Sequence, residues 1–292
     1  MTPDAYTNSW QSGGEIKRLA VKGGSIRYLE IGTGEPLFLM HTLRTQLDYF
    51  ELLVPLLQQR YRIIAPDLPG YGYSPAADGA RIDEPFFRGA VLDLMERLDL
   101  WNVTMVGESI GGVVALTAAA TVPDRISRVI ALNPYDYGDK FGGGIRNSRY
   151  GWIIGSFAVF GRYTPETPRM LRAILSGGLA DPAKLPVPLV AELVRAGRQK
   201  GFRRTEYLLF KHWRSWLHAA ELYGKVSSPV TLVYGEHDWS KPEDRRLDQT
   251  RLRGAHAITI PATGHFSALE SSKAVADIIT GAPNNNADPH HA

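Results

Sequence analysis

The chain of 292 residues contains no cysteine, and this absence excludes several kinds of chemistry at once. Disulfide scaffolds, thiolate nucleophiles and cysteine-ligated metal sites are ruled out, and the composition agrees with a reducing compartment. The sequence also lacks a run of eighteen uncharged apolar residues, and its N-terminus has no basic segment followed by an apolar one. We therefore expect a soluble, cytoplasmic protein that uses no thiol.

A strong charge of one sign is absent as well, because the formal net charge is +3. Residues 139–225 nevertheless hold fifteen Lys and Arg against six Asp and Glu, which leaves the remainder acidic. A nucleic-acid binder would carry its basic excess globally and with a recognisable motif, so we predict no nucleic-acid partner. The basic, aromatic stretch 195–216 resembles a membrane-surface helix, but an ordinary solvated helix is the favoured interpretation.

Short apolar runs are what the sequence does contain. Two alternating segments flank Gly23 and Gly24 and predict a β-hairpin. Six continuous runs follow, typical of parallel strands buried on both faces, with helical spacing at 50–57 and 87–98 between them. The runs cover residues 36–40, 61–67, 103–107, 128–133, 229–235 and 257–262. The pattern predicts an α/β fold with a doubly wound, mostly parallel, eight-stranded sheet.

The alternation of strands and helices stops for about ninety residues after the sixth strand of this pattern. We predict a core formed by residues 15–133 and 229–280, a helical cap inserted at 134–228, and a disordered tail at 281–292. Open parallel sheets bind ligands beyond the carboxyl ends of their strands. An insertion that leaves one strand end and returns before the next strand should therefore roof the functional site.

Ser109 lies between glycines in Gly107-Glu108-Ser109-Ile110-Gly111, after a β-branched run and before small apolar residues. This G-x-S-x-G pattern predicts a sharp strand-to-helix turn in which the serine has a strained backbone that aims its hydroxyl into the cleft. Side chains at either glycine should collide with the neighbouring strand or helix. The start of the helix would point the Ile110 N–H at an oxyanion formed beside Ser109. We interpret Ser109 as a candidate nucleophile.

A serine nucleophile needs a base, and the base needs an acid that fixes its tautomer. Asp238 and His265 each follow a predicted buried strand near its carboxyl end, in the chain order Ser, Asp, His. They are the predicted acid and base, with Asp136 as the alternative acid. His237 is interpreted as a surface residue, and Glu108 as a structural hydrogen-bonding partner.

With these residues in place, the chain resembles the α/β-hydrolase superfamily from about residue 16 to 280. The stretch "APDLPGYGYSP", residues 65–75, is similar to the D-x-P-G-x-G-x-S loop of its capped branch, in which it shapes a turn. Dehalogenases and epoxide hydrolases of that branch use an aspartate nucleophile, so Ser109 argues against both reactions. The chain departs from the superfamily at Thr42, where a glycine usually follows the histidine.

The resemblance implies an oxyanion hole made by the backbone N–H groups of Leu43 and Ile110, although Thr42 could shift the first of them. Arg44 could favour an anionic substrate, but a structural role is the more common one for such a residue. The residues expected near a substrate pocket are His41, Thr42, Arg44, Trp239 and Phe266.

The resulting prediction is a serine hydrolase that cleaves a carboxylic ester or lactone of a small, apolar or aromatic molecule through an acyl-enzyme. No cofactor, metal ion or membrane partner is expected, and the oligomeric state stays open. The alternatives are a C–C bond hydrolase, an acyltransferase, and a non-catalytic small-molecule receptor. The substrate preference rests on the aromatic residues of the predicted cap, most of which should only pack it onto the core: Trp152, Phe157, Phe160, Phe210, Trp213 and Trp216.

Overall fold

The structure of the chain is a computed structural model that describes residues 2–138 and 167–282. Within these two stretches no helix has both the length and the apolar character needed to cross a lipid bilayer. Part of the predicted cap and nearly all of the predicted tail lie outside the described residues. The same holds for three aromatic residues on which the substrate preference rests: Trp152, Phe157 and Phe160.

Eight strands form one sheet in the spatial order β1-β2-β4-β3-β5-β6-β7-β8. Strand β2 runs antiparallel to both β1 and β4, and the other neighbouring strands are parallel. The strands are β1 (Glu15–Val21), β2 (Gly24–Ile31), β3 (Glu35–Met40), β4 (Tyr61–Pro66), β5 (Val103–Glu108), β6 (Ile126–Leu132), β7 (Val230–Gly235) and β8 (His256–Ile260). This sheet confirms the predicted fold class.

The apolar runs of the central strands are continuous because both faces of the sheet are covered. Along β3, Phe38 and Met40 enter one apolar cluster while Leu37 and Leu39 enter the other, and all four side chains are fully buried. At the edge of the sheet, β1 is half-buried or exposed except for Val21, whereas the next strand, β2, has no exposed residue and buries four in a row. Their hairpin pairs Val21 with Gly24 across a tight turn.

Helices flank the sheet and connect its strands. They are α1 (Thr7–Trp10), α2 (Val54–Leu57), α3 (Glu84–Arg97), α4 (Ile110–Thr121), α5 (Pro168–Ser176), α6 (Val187–Ala196), α7 (Phe202–Lys211), α8 (Arg214–Ala219), α9 (Pro242–Arg251), α10 (Ser267–Glu270) and α11 (Ser272–Thr280). The start of α3 is fixed by Asp83, whose carboxylate accepts a hydrogen bond from the Phe86 N–H at 3.1 Å.

The helical spacing at residues 50–57 produces less helix than the sequence predicted. A 3-10 turn spans Leu47–Phe50, and α2 covers only Val54–Leu57. Pro55 is tolerated in the first turn of α2, where its missing N–H is not needed, but it could not lie inside a longer helix.

Helices α5 to α8 lie between β6 and β7 in the chain, where the sequence placed the cap. Several of their aromatic side chains serve packing. Trp216 of α8 is buried in the cluster on the α3–α4 face of the sheet, 5.7 Å from the ring of Phe87. Phe202 of α7 meets Tyr71 edge to face at 5.9 Å. Burial of these rings attaches the inserted helices to the core.

Candidate active site

Ser109 occupies the turn between β5 and α4. Its backbone has φ 59° and ψ −116°, a conformation that a non-glycine residue adopts only under strain. The turn is held from the neighbouring strand, because the Ser109 N–H donates to the Leu132 carbonyl at 2.9 Å. The Ile110 N–H begins α4, where first-turn amides have no acceptor four residues earlier. The strained turn places the Ser109 hydroxyl within hydrogen-bonding distance of the His265 ring.

The two glycines around the serine are required by close backbone contacts. A Cβ at Gly107 would lie 2.1 Å from the Gly111 carbonyl oxygen, and a Cβ at Gly111 would lie 2.5 Å from that of Met40. Both separations are shorter than any that real side chains show. The predicted steric reason for the G-x-S-x-G spacing is thus confirmed.

Ser109, His265 and Asp238 lie in one hydrogen-bonded row at the carboxyl edge of the sheet. The His265 Nε2 atom is 3.0 Å from the Ser109 Oγ atom, and Nδ1 is 2.5 Å from the Asp238 Oδ1 atom. All three side chains are almost fully buried. With Asp238 ionised, Nδ1 carries the proton that it donates to the carboxylate, and the Nε2 lone pair faces the hydroxyl. This is the arrangement in which an imidazole takes up a serine proton.

The second oxygen of Asp238 is also bound. The Ser240 N–H donates to it at 3.1 Å, the Ser240 hydroxyl donates to it as well, and Arg245 donates to that hydroxyl at 2.9 Å. Burial acts to raise the pKa of Asp238, but the electrostatic interaction with His265 and the hydrogen bonds from His265 and Ser240 outweigh it and lower the pKa below its ordinary value. The carboxylate thus stays charged in a buried place.

The alternative acid, Asp136, is engaged elsewhere. It is fully buried, accepts a hydrogen bond from the Tyr223 hydroxyl, and has its pKa raised to about 6 by burial. His237 points outward with its side chain 56% exposed. The structure therefore brings Asp238, and neither of these residues, to His265.

Glu108 connects the serine turn to the start of α10. This helix directly follows the loop of residues 261–266 after β8, which carries His265 and is called the histidine loop below. Its Oε1 atom accepts hydrogen bonds from the Ser267 N–H at 2.5 Å and from Asn133 at 3.1 Å, and its Oε2 atom accepts from the Tyr49 hydroxyl at 2.5 Å and the Ala268 N–H at 3.1 Å. Burial raises the pKa of Glu108 although these bonds act in the opposite direction. The geometry fits the structural role that the sequence suggested.

His41 was predicted near the substrate pocket, and the structure corrects this placement. The ring is fully buried behind the loop that follows β3 and does not line the pocket that contains Ser109. Its Nε2 atom accepts the Leu68 N–H at 2.8 Å, and Nδ1 lies 2.8 Å from the Thr42 carbonyl. Burial lowers the pKa of His41 to about 4, so the ring is neutral and holds the loop.

Thr42 replaces the expected glycine without a positive φ angle, and the strained residue of this loop is Arg44, with φ 63°. The Thr42 carbonyl accepts a hydrogen bond from the Thr45 hydroxyl at 2.8 Å. Arg44 forms a buried ion pair at 2.7 Å with Glu206 of α7, and the Tyr71 hydroxyl donates to the same carboxylate at 2.8 Å. The loop after β3 is thereby fastened to a helix of the inserted region.

The pocket next to Ser109 is lined mainly by apolar side chains. It contains four of the five predicted pocket residues and both predicted oxyanion-hole residues, together with Tyr135 and two side chains of α5. The lining residues are Thr42, Leu43, Arg44, Ser109, Ile110, Tyr135, Ile174, Leu175, Trp239 and Phe266. Leu43 and Ile110 therefore lie along the pocket that the serine faces.

The turn after α5 contacts the histidine loop directly, which sequence reasoning missed. The Gly178 carbonyl accepts the His265 N–H at 2.6 Å, and the Trp239 indole N–H donates to the Gly177 carbonyl at 3.4 Å. A Cβ at Gly178 would lie 2.3 Å from the ring of Phe266. The adjacent glycines in "LSGGLA" were the available sequence sign of such a close approach.

Glu270 joins the same two segments. Its carboxylate accepts hydrogen bonds from the Gly264 N–H at 2.7 Å, the Ala180 N–H at 3.0 Å and the Asp181 N–H at 2.7 Å. One buried carboxylate thus binds backbone on both sides of the contact.

A strained serine after β5, an aspartate after β7 and a histidine after β8 thus meet at one edge of an α/β sheet. Comparison with known proteins gives the family. Residues 35–272 match the model of the α/β hydrolase fold, and the chain belongs to that family. It is accordingly a hydrolase of the α/β class.

Individual relatives are distant. The chain is 25% identical to a 2-hydroxy-6-oxo-2,4-heptadienoate hydrolase of Pseudomonas putida, over 89% of this chain and 93% of the relative. It is also 25% identical to a dihydrolipoyllysine-residue acetyltransferase component of an acetoin cleaving system of Pseudomonas putida, of which it spans only 66%. The crystal structure of Cfl2 from Burkholderia cenocepacia superposes with a TM-score of 0.79 at 23% identity, over 92% of this chain and 96% of that one. This likeness shows the fold.

Proposed function

We propose that the protein hydrolyses a carboxylic ester or lactone of a small, largely apolar molecule through an acyl-enzyme on Ser109. The observation that carries the proposal is the hydrogen-bonded row of Ser109, His265 and Asp238, with separations of 3.0 and 2.5 Å. Serine esterases need this arrangement, because a serine hydroxyl is a weak nucleophile until a base accepts its proton.

In the proposed reaction, the Ser109 Oγ atom attacks the acyl carbon as its proton passes to His265 Nε2. The tetrahedral oxyanion is bound by the N–H groups of Leu43 and Ile110, which border the same pocket. His265 then gives the proton to the leaving alcohol. A water molecule, deprotonated by His265, attacks the acyl-enzyme and releases the acid. Asp238 holds the imidazole in the required tautomer throughout.

The pocket supports an apolar acyl or alcohol group. Ile174 and Leu175 from α5 face Trp239 and Phe266 from the core, and the charge of Arg44 is compensated by Glu206 at 2.7 Å. A carboxylate on the substrate would have to compete with that buried partner. We therefore expect uncharged esters to be better substrates than esters carrying a carboxylate close to the scissile bond.

Cleavage of a C–C bond is the second candidate function, favoured by the similarity to the heptadienoate hydrolase described above. It would use the same serine, histidine and aspartate. Substrates distinguish the two functions. The same protein preparation is assayed on a panel of p-nitrophenyl esters, lactones and vinylogous diketones. The substrate class with the highest kcat/KM shows which type of bond the protein cleaves.

The direct test compares the wild-type protein with Ser109→Ala on p-nitrophenyl acetate and butyrate, and by labelling with a fluorophosphonate probe. We expect labelling of the wild-type protein only, and a loss of esterase activity of roughly 10³-fold or more in the variant. Equal turnover by the two proteins contradicts the proposal. A probe that fails to react with the folded wild-type protein contradicts it as well, because an activated serine must react.

A further inference from the structure

Trp239 lies flat against the imidazole of His265. The two ring centroids are 3.8 Å apart and the ring planes differ by 12°. Other aromatic neighbours of the imidazole meet it edge to face, with Phe266 at 5.3 Å and Tyr135 at 6.1 Å. Ser109 and Asp238 bind the two ring nitrogens. The indole therefore occupies a face of the ring that neither partner uses.

The indole is itself held in position. Its N–H donates to the Gly177 carbonyl of the inserted region, and Phe266 packs against the indole at 5.6 Å. Trp239 directly follows Asp238, so the acid and the stacked ring leave the same loop after β7. Because Gly177 and Phe266 hold the indole of Trp239 in place, the indole keeps the plane of the stacked imidazole fixed. The direction of His265 Nε2 toward the serine is fixed with it.

The stack also has an electrostatic consequence. When His265 takes the serine proton it becomes an imidazolium, and the face of an indole attracts a cation. We propose that Trp239 is a positioning residue that orients His265 and stabilises its charged form during the reaction. This inference rests on the proposed function, because it assumes that His265 accepts the Ser109 proton.

The other ionisable groups around the imidazole would be unchanged in a Trp239 variant. Among the residues that the structure describes, they are Asp238 on the loop after β7, Glu108 at the end of β5, Tyr135 after β6, and Glu270, which binds the Gly264 N–H. The segment 174–180 that packs against the histidine loop, "ILSGGLA", carries no ionisable side chain. A change in pH dependence on replacing Trp239 would thus report on the stacked ring.

The experiment measures the rate of fluorophosphonate labelling of Ser109 against pH, which needs no knowledge of the substrate. For Trp239→Leu we expect the midpoint of the acid limb to move to lower pH by about half a unit to one unit, with the plateau rate about three- to tenfold lower. Trp239→Phe keeps an aromatic face and loses the N–H, so its midpoint should stay within about 0.3 unit of the wild type.

Trp101→Leu is the matched control. It removes a half-exposed tryptophan that has its own cation–π contact, with Arg125 at 4.0 Å. We expect this variant to keep the wild-type dependence of the labelling rate on pH. If the leucine variant does not fold, Trp239→Met fills the same space without an aromatic face and is measured instead. A wild-type midpoint in a folded Trp239→Leu or Trp239→Met protein overturns the inference, whatever happens to the plateau. Absence of labelling in the wild type refutes the proposed function instead.

Discussion

Replacing Gly178 by alanine tests whether the inserted region positions His265, the proposed catalytic base. A Cβ at this position would lie 2.3, 2.6 and 2.9 Å from three carbon atoms of the Phe266 ring, whereas ordinary contacts begin at 3.4 Å. The ring would have to retreat by about 1 Å. It cannot do so freely, because it packs edge to face against Trp239 at 5.6 Å and Tyr49 at 6.3 Å.

The displacement would be passed to His265, which precedes Phe266 and donates its N–H to Gly178 itself at 2.6 Å. A misplacement of about 1 Å at a reacting group costs roughly 10²-fold in rate, and overpacking of this kind destabilises a protein by about 1–3 kcal/mol. We therefore expect kcat for a p-nitrophenyl ester to fall by about 10²-fold, with a smaller change in KM.

Initial rates are corrected for the fraction of protein that reacts with a fluorophosphonate, and stability is followed by urea unfolding. Gly89→Ala is the control, because a Cβ there meets nothing within 4 Å and lies inside α3. It should keep full activity and gain about 0.5–1 kcal/mol. If Gly178→Ala is as active as Gly89→Ala, the inserted region does not position the histidine and the reasoning fails.

Three further substitutions test the acidic groups. Asp238→Asn should lower kcat by about 10³- to 10⁴-fold, because it removes the ionised partner of His265 Nδ1. Asp136→Asn should change kcat by less than about fivefold. Similar losses of kcat in steady-state assays of the two variants would show that the acid is misassigned. Asp248 is buried against the Tyr234 hydroxyl at 3.0 Å, and burial raises its pKa to about 9. The folded state thus holds a proton that the unfolded chain releases near pH 4. The free energy of unfolding should therefore fall as the pH rises from about 4 to about 9. Asp248→Asn should remove that part of the decline, and identical slopes of the urea midpoint against pH in the two proteins would count against it.

The fold could be predicted because its elements carry strong local patterns. Continuous apolar runs such as 128–133 identify strands buried on both faces, and the G-x-S-x-G turn has few other uses. Asp238 and His265 could be placed because parallel strands bring their carboxyl ends to one edge. In each case the information lies within about ten residues of the sequence.

Other parts of the site depend on contacts with no local pattern. The direction of His41 is set by the N–H of Leu68, and Arg44 is paired with a carboxylate far along the chain at Glu206. The contact between Gly178 and His265 joins residues on separate segments through a backbone carbonyl, so side-chain identity shows almost nothing of it. Pattern reasoning therefore placed His41 in the pocket and overlooked the turn after α5.

The turn at Gly177 and Gly178 has a consequence for recombining this core with the inserted regions of its relatives. Because this turn supplies hydrogen-bond acceptors to both Trp239 and the His265 backbone, a transplant cut at the ends of the insertion would also exchange contacts that hold His265. Chimeras that retain residues 176–181 from the recipient should stay active more often than those that exchange them. We therefore expect the best exchange point for such chimeras to lie inside the inserted segment rather than at its ends.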